Sequence, residues 1–187
     1  MIRVEHRRVI LSVDQASTSG YCIHVGSSPV RHGVVTTAFA RSQIVRLASA
    51  YAAEYATESG NTNAWHIFVF ENHANIGRAQ FGHGALIGQL HRWLEHHDLM
   101  GHPAHLRIGV PPNTWQRRVL GVKRAPREER KAQAVRWASH YVQRPITSDD
   151  EADAIGIGAY GVLDAVALLD ARRWRSTTLK RLRKRKG

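Results

Sequence analysis

Residues 9–25 read VILSVDQASTSGYCIHV, and this stretch decides the fold. An unbroken apolar run ends in an acid, Asp14. QASTSG then supplies turn-forming residues, and YCIHV resumes as a second extended segment. Gly26, Ser27, Ser28 and Pro29 make the next turn, and the β-branched stretch at 30–38 (VRHGVVTTA) reads as a third strand. Strands this close in sequence, joined by short turns, form an antiparallel meander.

Downstream the periodicity changes. Over 41–58 the apolar positions Ile44, Leu47, Ala48, Tyr51 and Tyr55 recur at helical spacing. Residues 65–70 (WHIFVF) are apolar enough for a buried central strand, and Glu71 follows at once. After a Gly- and His-rich stretch, a helix is expected over 84–97, with Leu86, Ile87, Leu90 and Leu94 on one face. HLRIGV at 105–110 reads as another strand. Asn113 then caps a short helix to Leu120, 121–126 is a basic linker, and 127–142 is a charged helix. The last helix runs from 149 to about 172, with Ser148 as N-cap and Glu151 three residues on as its capping-box partner. The order βββ-α-β-α-β-α-α-α predicts an α/β fold: a mixed sheet, a three-stranded antiparallel meander plus parallel strands, with helices on both faces. One domain over 1–170 and a basic C-terminal tail at 171–187 are expected.

Composition bounds the function. The chain has 187 residues, 43% of them hydrophobic, which is enough for a core and argues against disorder. No apolar run approaches the length of a bilayer span, and MIRVEHRRVILSVD lacks the small-residue site of a secretory signal. The single cysteine, Cys22, lies in a strand-like segment and reads as a packed residue in a reduced, cytoplasmic protein. Net charge is +12. Nine of the 27 Lys and Arg residues and none of the 15 acids fall in 171–187, so the body carries only about +3. Such a tail attracts the phosphates of nucleic acid without reading bases. The twelve histidines include His91, His96, His97, His102 and His105, but no H-E-x-x-H pattern and no closed zinc set with Cys22.

The acids are more informative. Asp14 ends the first strand and Glu71 ends the fourth. If these strands are parallel neighbours, both acids meet at one sheet edge. Asp150 and Asp153 stand three apart at the start of the last helix and share a face; Asp149 is an alternative to Asp150. Three or four carboxylates suit two Mg²⁺ ions about 3.5–4 Å apart, which stabilise charge on both oxygens of an in-line phosphodiester hydrolysis. Singly, Asp14 reads equally as a turn former and Asp150 and Asp153 as helix N-terminal charges. Glu71, directly after WHIFVF, has little structural reason to be there.

These residues resemble the RuvC family of Holliday-junction resolvases. VILSVDQASTSGYCIH is similar to its first motif, IFVFENHANIGRAQFGHGALIGQL to its second, and SDDEADAIGIGAYG to its third, in the same order and over about residues 9–165. The resemblance implies an RNase H-like fold, a homodimer, and metal-dependent cutting of opposing strands of a four-way junction with Mg²⁺, for which Mn²⁺ can substitute. It implies Asp14, Glu71, Asp150 and Asp153 as catalytic metal ligands and Lys131 as a contact to the scissile phosphate. Arg117, Arg118 and Lys123 are further DNA-binding candidates, with Arg78 and Phe81 in the loop after Glu71. The family's base-stacking aromatic has no clear counterpart; Phe81 and His73 are the candidates.

Three other readings compete. A flap, branched-DNA or RNA–DNA hybrid nuclease of the same fold would carry the same acids. An actin-like ATPase would need two lobes, for which 187 residues leave little room. A non-catalytic DNA-binding module would have no need of four convergent acids. The tail makes its own prediction. Deleting 172–187 is expected to weaken DNA binding and flatten its salt dependence, read from affinities across a salt series; an equal affinity and slope in the truncated chain would remove the tail from the interface.

Overall fold

The computed structural model describes residues 9–14, 18–36, 43–44, 46–48, 50–51, 66–71, 105–122 and 124–164, with the backbone alone for 66–71 and 105–108. Five strands form one sheet: β1 (Val9–Asp14), β2 (Ser19–Val25), β3 (Ser28–Val35), β4 (His66–Glu71) and β5 (His105–Val110), in the order β3-β2-β1-β4-β5. β1, β2 and β3 pair antiparallel, and β1–β4 and β4–β5 pair parallel. β3 begins and ends earlier than the 30–38 expected, because Ser28 and Pro29 already extend from the turn and pair with β2. The register shifts at Ile23/His24, beside Pro29, which has no N–H to give a ladder.

Two cores cover the two faces of the sheet. Side chains alternate along a strand, so Val9, Leu11 and Val13 join Ile23, Ile44 and Ala48 in one cluster. Leu47 and Tyr51 pack against the same cluster, so the described helical residues among 43–51 lie on that side. Ile10 instead joins Cys22, Val110, Trp115 and the apolar residues of the C-terminal helices. Ser12 and Asp14 share the parity of Ile10 and so face those helices.

Three elements build the second face. α1 (Pro112–Trp115) runs directly into a π-helical turn at Gln116–Leu120, which Gly121 ends in the left-handed region. Asn113 is therefore not the cap. The helix starts two residues earlier than that cap implies, at Pro112, whose fixed φ suits the first turn, and Pro111 is the N-cap, without a side-chain bond. α2 (Arg127–Tyr141) is the charged helix. α3 is the helix whose described residues are 149–164.

α3 docks on β1 and β2 through small residues. Ser12 Oγ lies 2.7 Å from the carbonyl oxygen of Ala154 and 3.1 Å from that of Cys22. A hydroxyl has one proton, and the shorter contact, strand to helix, takes it. A Cβ on Gly158 would sit 2.4 Å from the His24 ring and 2.6 Å from Ser12 Oγ, and one on Gly156 would sit 2.5 Å from the Trp115 ring. The helix thus approaches as closely as its backbone permits. Gly158→Ala tests this approach. Helix propensity alone would favour alanine by about 1 kcal/mol, whereas overpacking costs roughly 1–3 kcal/mol. A melting temperature lower by roughly 2–8 °C is expected, and an unchanged or raised value would contradict the close docking.

Candidate active site

The acids singled out above come to one end of the sheet. The β1–β4 register runs Val9↔His66 to Val13↔Phe70, so Asp14 and Glu71 are the next position on neighbouring parallel strands. Asp14 is 7% exposed. Across the other ladder it pairs with Gly20. Gly20 lies against the first turn of α3: a Cβ there would fall 1.7 Å from the carbonyl oxygen of Asp150. The lack of a side chain at residue 20 lets the start of α3 reach the strand end that carries Asp14.

The electrostatics record that convergence. The Asp153 carboxyl is pushed up to about 8, first by burial and then by Asp14, Asp149 and Asp150, with Lys131 opposing. Asp150 is raised as well, by burial and by Asp149, again against Lys131. Asp149 moves the other way because its carboxylate bonds the Lys131 ammonium, and Lys131 is correspondingly raised. Of the two acids left open in sequence, Asp149 is thus engaged by Lys131 while Asp150 is not. Lys131, expected as a phosphate contact, meets a carboxylate here.

Ser148 caps α3 as expected, its Oγ accepting from the Glu151 N–H at 3.3 Å. The reciprocal half of the capping box is not found. The Glu151 carboxylate instead meets His32 Nδ1 at 2.7 Å and Arg144 Nη2 at 2.9 Å. The 2.9 Å approach of Arg144 Nη2 to His32 Nδ1 brings together two nitrogens whose hydrogens serve the same oxygen. This knot ties β3, the segment before α3 and the first turn of α3 together. Its only trace in the sequence is three polar residues, one of them more than a hundred positions from the others, which no local pattern connects. His24 and Cys22 are both buried, with Nδ1 and Sγ 3.5 Å apart. Burial, followed by the charge of His32, lowers His24 to about 4, and burial raises the Cys22 thiol, which fits a packed rather than reactive cysteine.

Of the DNA-contact candidates, Arg117 is exposed on the π-turn, and Arg118 lies 3.7 Å from Asp164. Arg78, Phe81, His73, Lys123, His91, His96, His97, His102 and the tail lie outside the described residues. Among the described residues no three His, Cys, Asp or Glu side chains already stand at metal-holding spacing, and the Glu71 side chain is not among those described. The donor set is nonetheless all hard oxygen, and carboxylates that raise one another on approach are the chemistry a divalent cation relieves. No described helix is long and apolar enough to cross a membrane.

Sheet order and flanking helices together define a mixed-sheet α/β fold. The chain is similar to the solved structure of Thermus thermophilus RuvC, with a TM-score of 0.52 and 12% identity over 85% of this chain and 96% of that one. It is similar also to T. thermophilus RuvC in complex with a Holliday junction substrate, with a TM-score of 0.51 and 12% identity over 86% and 96%. No protein-family model and no curated protein sequence matches it.

The raised Asp153 carboxyl carries a stability consequence. An acid whose folded pKa lies above its unfolded value near 4 costs stability increasingly as pH rises between the two values, after which the cost is constant. Asp153→Asn should therefore raise the melting temperature in chelator, little at pH 4 and most at pH 8 and above. A gain equal at both ends of that range would rule out the electrostatic origin.

Proposed function

We propose that the chain is a metal-dependent endodeoxyribonuclease of RNase H-like fold that resolves four-way DNA junctions, working as a homodimer through a domain spanning 1–170. One observation carries the nuclease reading: Asp14 and the acids of α3 gather at the end of a parallel strand pair, where burial first and then the charges of Asp14, Asp149 and Asp150 push the Asp153 carboxyl up to about 8. Junction specificity is supported by the likeness to RuvC solved with a Holliday junction and by the three sequence motifs.

Asp14, Glu71, Asp150 and Asp153 would hold Mg²⁺ or Mn²⁺. When bound, such ions stabilise charge on the attacking and leaving oxygens of a phosphodiester. The chain's own residues do the rest. Lys131, now paired with Asp149, has its ammonium at the edge of the acidic cluster and exchanges that carboxylate for a substrate phosphate. Asp149 keeps it there when the substrate is absent. Buried Ser12 and the small face of α3 hold the acids in place. The basic tail adds affinity without sequence preference.

Asp14→Asn is expected to reduce Mg²⁺-dependent junction cleavage by more than about 100-fold, beyond what loss of a merely supporting partner costs, with junction binding in chelator retained. Unchanged cleavage would remove the site. Offering junction, flap, duplex and RNA–DNA hybrid side by side tests the substrate, and paired symmetric nicks in the junction are expected. Preferential cutting of a flap or hybrid would overturn junction resolution while leaving the nuclease.

A further inference from the structure

A concave feature lies beside the start of α2. A cleft of about 400 Å³ is lined by Asn113, Gln116, Arg117, Arg124 and Arg130, together with two apolar side chains. Among the described residues it contains three arginines and no acid. The adjoining cleft of about 600 Å³ shares Asn113 and Arg117 but also contains Asp164, which lies 3.7 Å from Arg118. The charge of the first cleft is not balanced in this way: neither Arg117 nor Arg124 meets a carboxylate among the described residues. Arg130 donates from Nη1 to Gln116 Oε1 at 3.0 Å, which fixes its plane, and its buried Nε–H has no hydrogen-bond partner.

We infer that this cleft binds the phosphodiester backbone of a nucleic-acid strand. Guanidinium groups offer planar, paired N–H donors that match phosphate oxygens, and three of them around one hollow repel until an anion enters. The π-turn, the following loop and α2 each contribute one, so the cation set follows a surface path and not a single helix end. Its position links it to the acids. Lys131 and Arg130 are consecutive on α2 and so project about 100° apart. Lys131 meets Asp149, while Arg130 meets Gln116 at the cleft. A strand with one phosphate beside Lys131 continues across the first turn of α2 into the arginines. Contacts from these donors to phosphate oxygens would fix the position of the strand and carry no base sequence. The choice of nucleic acid over a small phosphate compound rests on the nuclease reading above; the charge and geometry of the cleft do not.

The test uses the full chain in chelator, where cleavage plays no part, with a fluorescent four-way junction titrated across a salt series. Arg124→Ala, at an exposed position, is expected to weaken binding and to make the slope of log K against log salt shallower by about 1; adding Arg130→Gln, which retains an N–H donor, should bring the change to about 2. Affinity and slope equal to the parent chain in both variants would overturn the inference. So would micromolar binding of ATP that is lost in Arg124→Ala while the DNA slope stays unchanged, which would make the cleft a nucleotide site. Absence of Mg²⁺-dependent cleavage with the slope changes intact would sink the nuclease reading and leave the cleft standing.

Discussion

The close approach of α3 to β1 and β2 is the constraint from which the candidate site follows. Ser12 Oγ bonds the Ala154 carbonyl, Gly158 leaves room for His24 and Ser12, and Gly20 leaves room for the Asp150 backbone. Each contact fills space that a single methyl group would occupy. The arrangement fixes both the distance between helix and sheet and the position of the helix along β1. Protein interiors pack densely enough that a misfit of this size is felt. A helix held at ordinary side-chain separation would carry Asp150 and Asp153 away from Asp14.

Burying the acids and bringing them together has an electrostatic cost, visible in the raised Asp150 and Asp153 carboxyls. Three features oppose it. The first turn of α3 favours negative charge through its unpaired N–H groups, and Ser148 caps one of them. Lys131 neutralises Asp149. The His32–Glu151–Arg144 knot anchors that turn to β3. Glu151 lies in the same turn as the crowded acids but is turned to the far side, toward two cationic or hydrogen-donating partners. The helix start is therefore retained without asking Asp150 or Asp153 to find a partner.

The elements legible in the sequence were those that bury long apolar runs. β1, β2 and β5 begin and end where expected or within a residue or two, because alternation and bounding turn residues leave few options. α2 was equally legible between the basic linker and Pro145. Local cap chemistry was less readable. Asn113 is a good capping residue in isolation, but Pro112 already fits the first helical position. Ser148 and Glu151 match a capping box, yet the Glu151 carboxylate meets His32, from 119 residues earlier, and Arg144. Pattern reading sees neighbours in sequence, and these partners become neighbours only once β3 and α3 are in place. The acids were legible as positions at strand and helix ends. Which of them is neutralised was not, because that depends on α2 presenting Lys131 to Asp149.

The glycines of IGIGAYG carry in the sequence itself the packing on which the site depends. Isolated glycines inside a helix cost about 1 kcal/mol each relative to alanine, so Gly156 and Gly158 in an otherwise good helix need a packing reason. They have one: Trp115 and the His24–Ser12 pair occupy the space. The third motif therefore does two jobs along one helix. Its first turn supplies acids, and the next turns supply the smooth surface that lets those acids reach β1. A substitution in the glycine surface would act on the acidic cluster without touching a carboxylate, since it changes how far the whole helix stands from the sheet. Ala152, Ala154 and Ala159, all buried, extend that small-residue character along α3, and the fold and the candidate site are for this reason specified by the same residues.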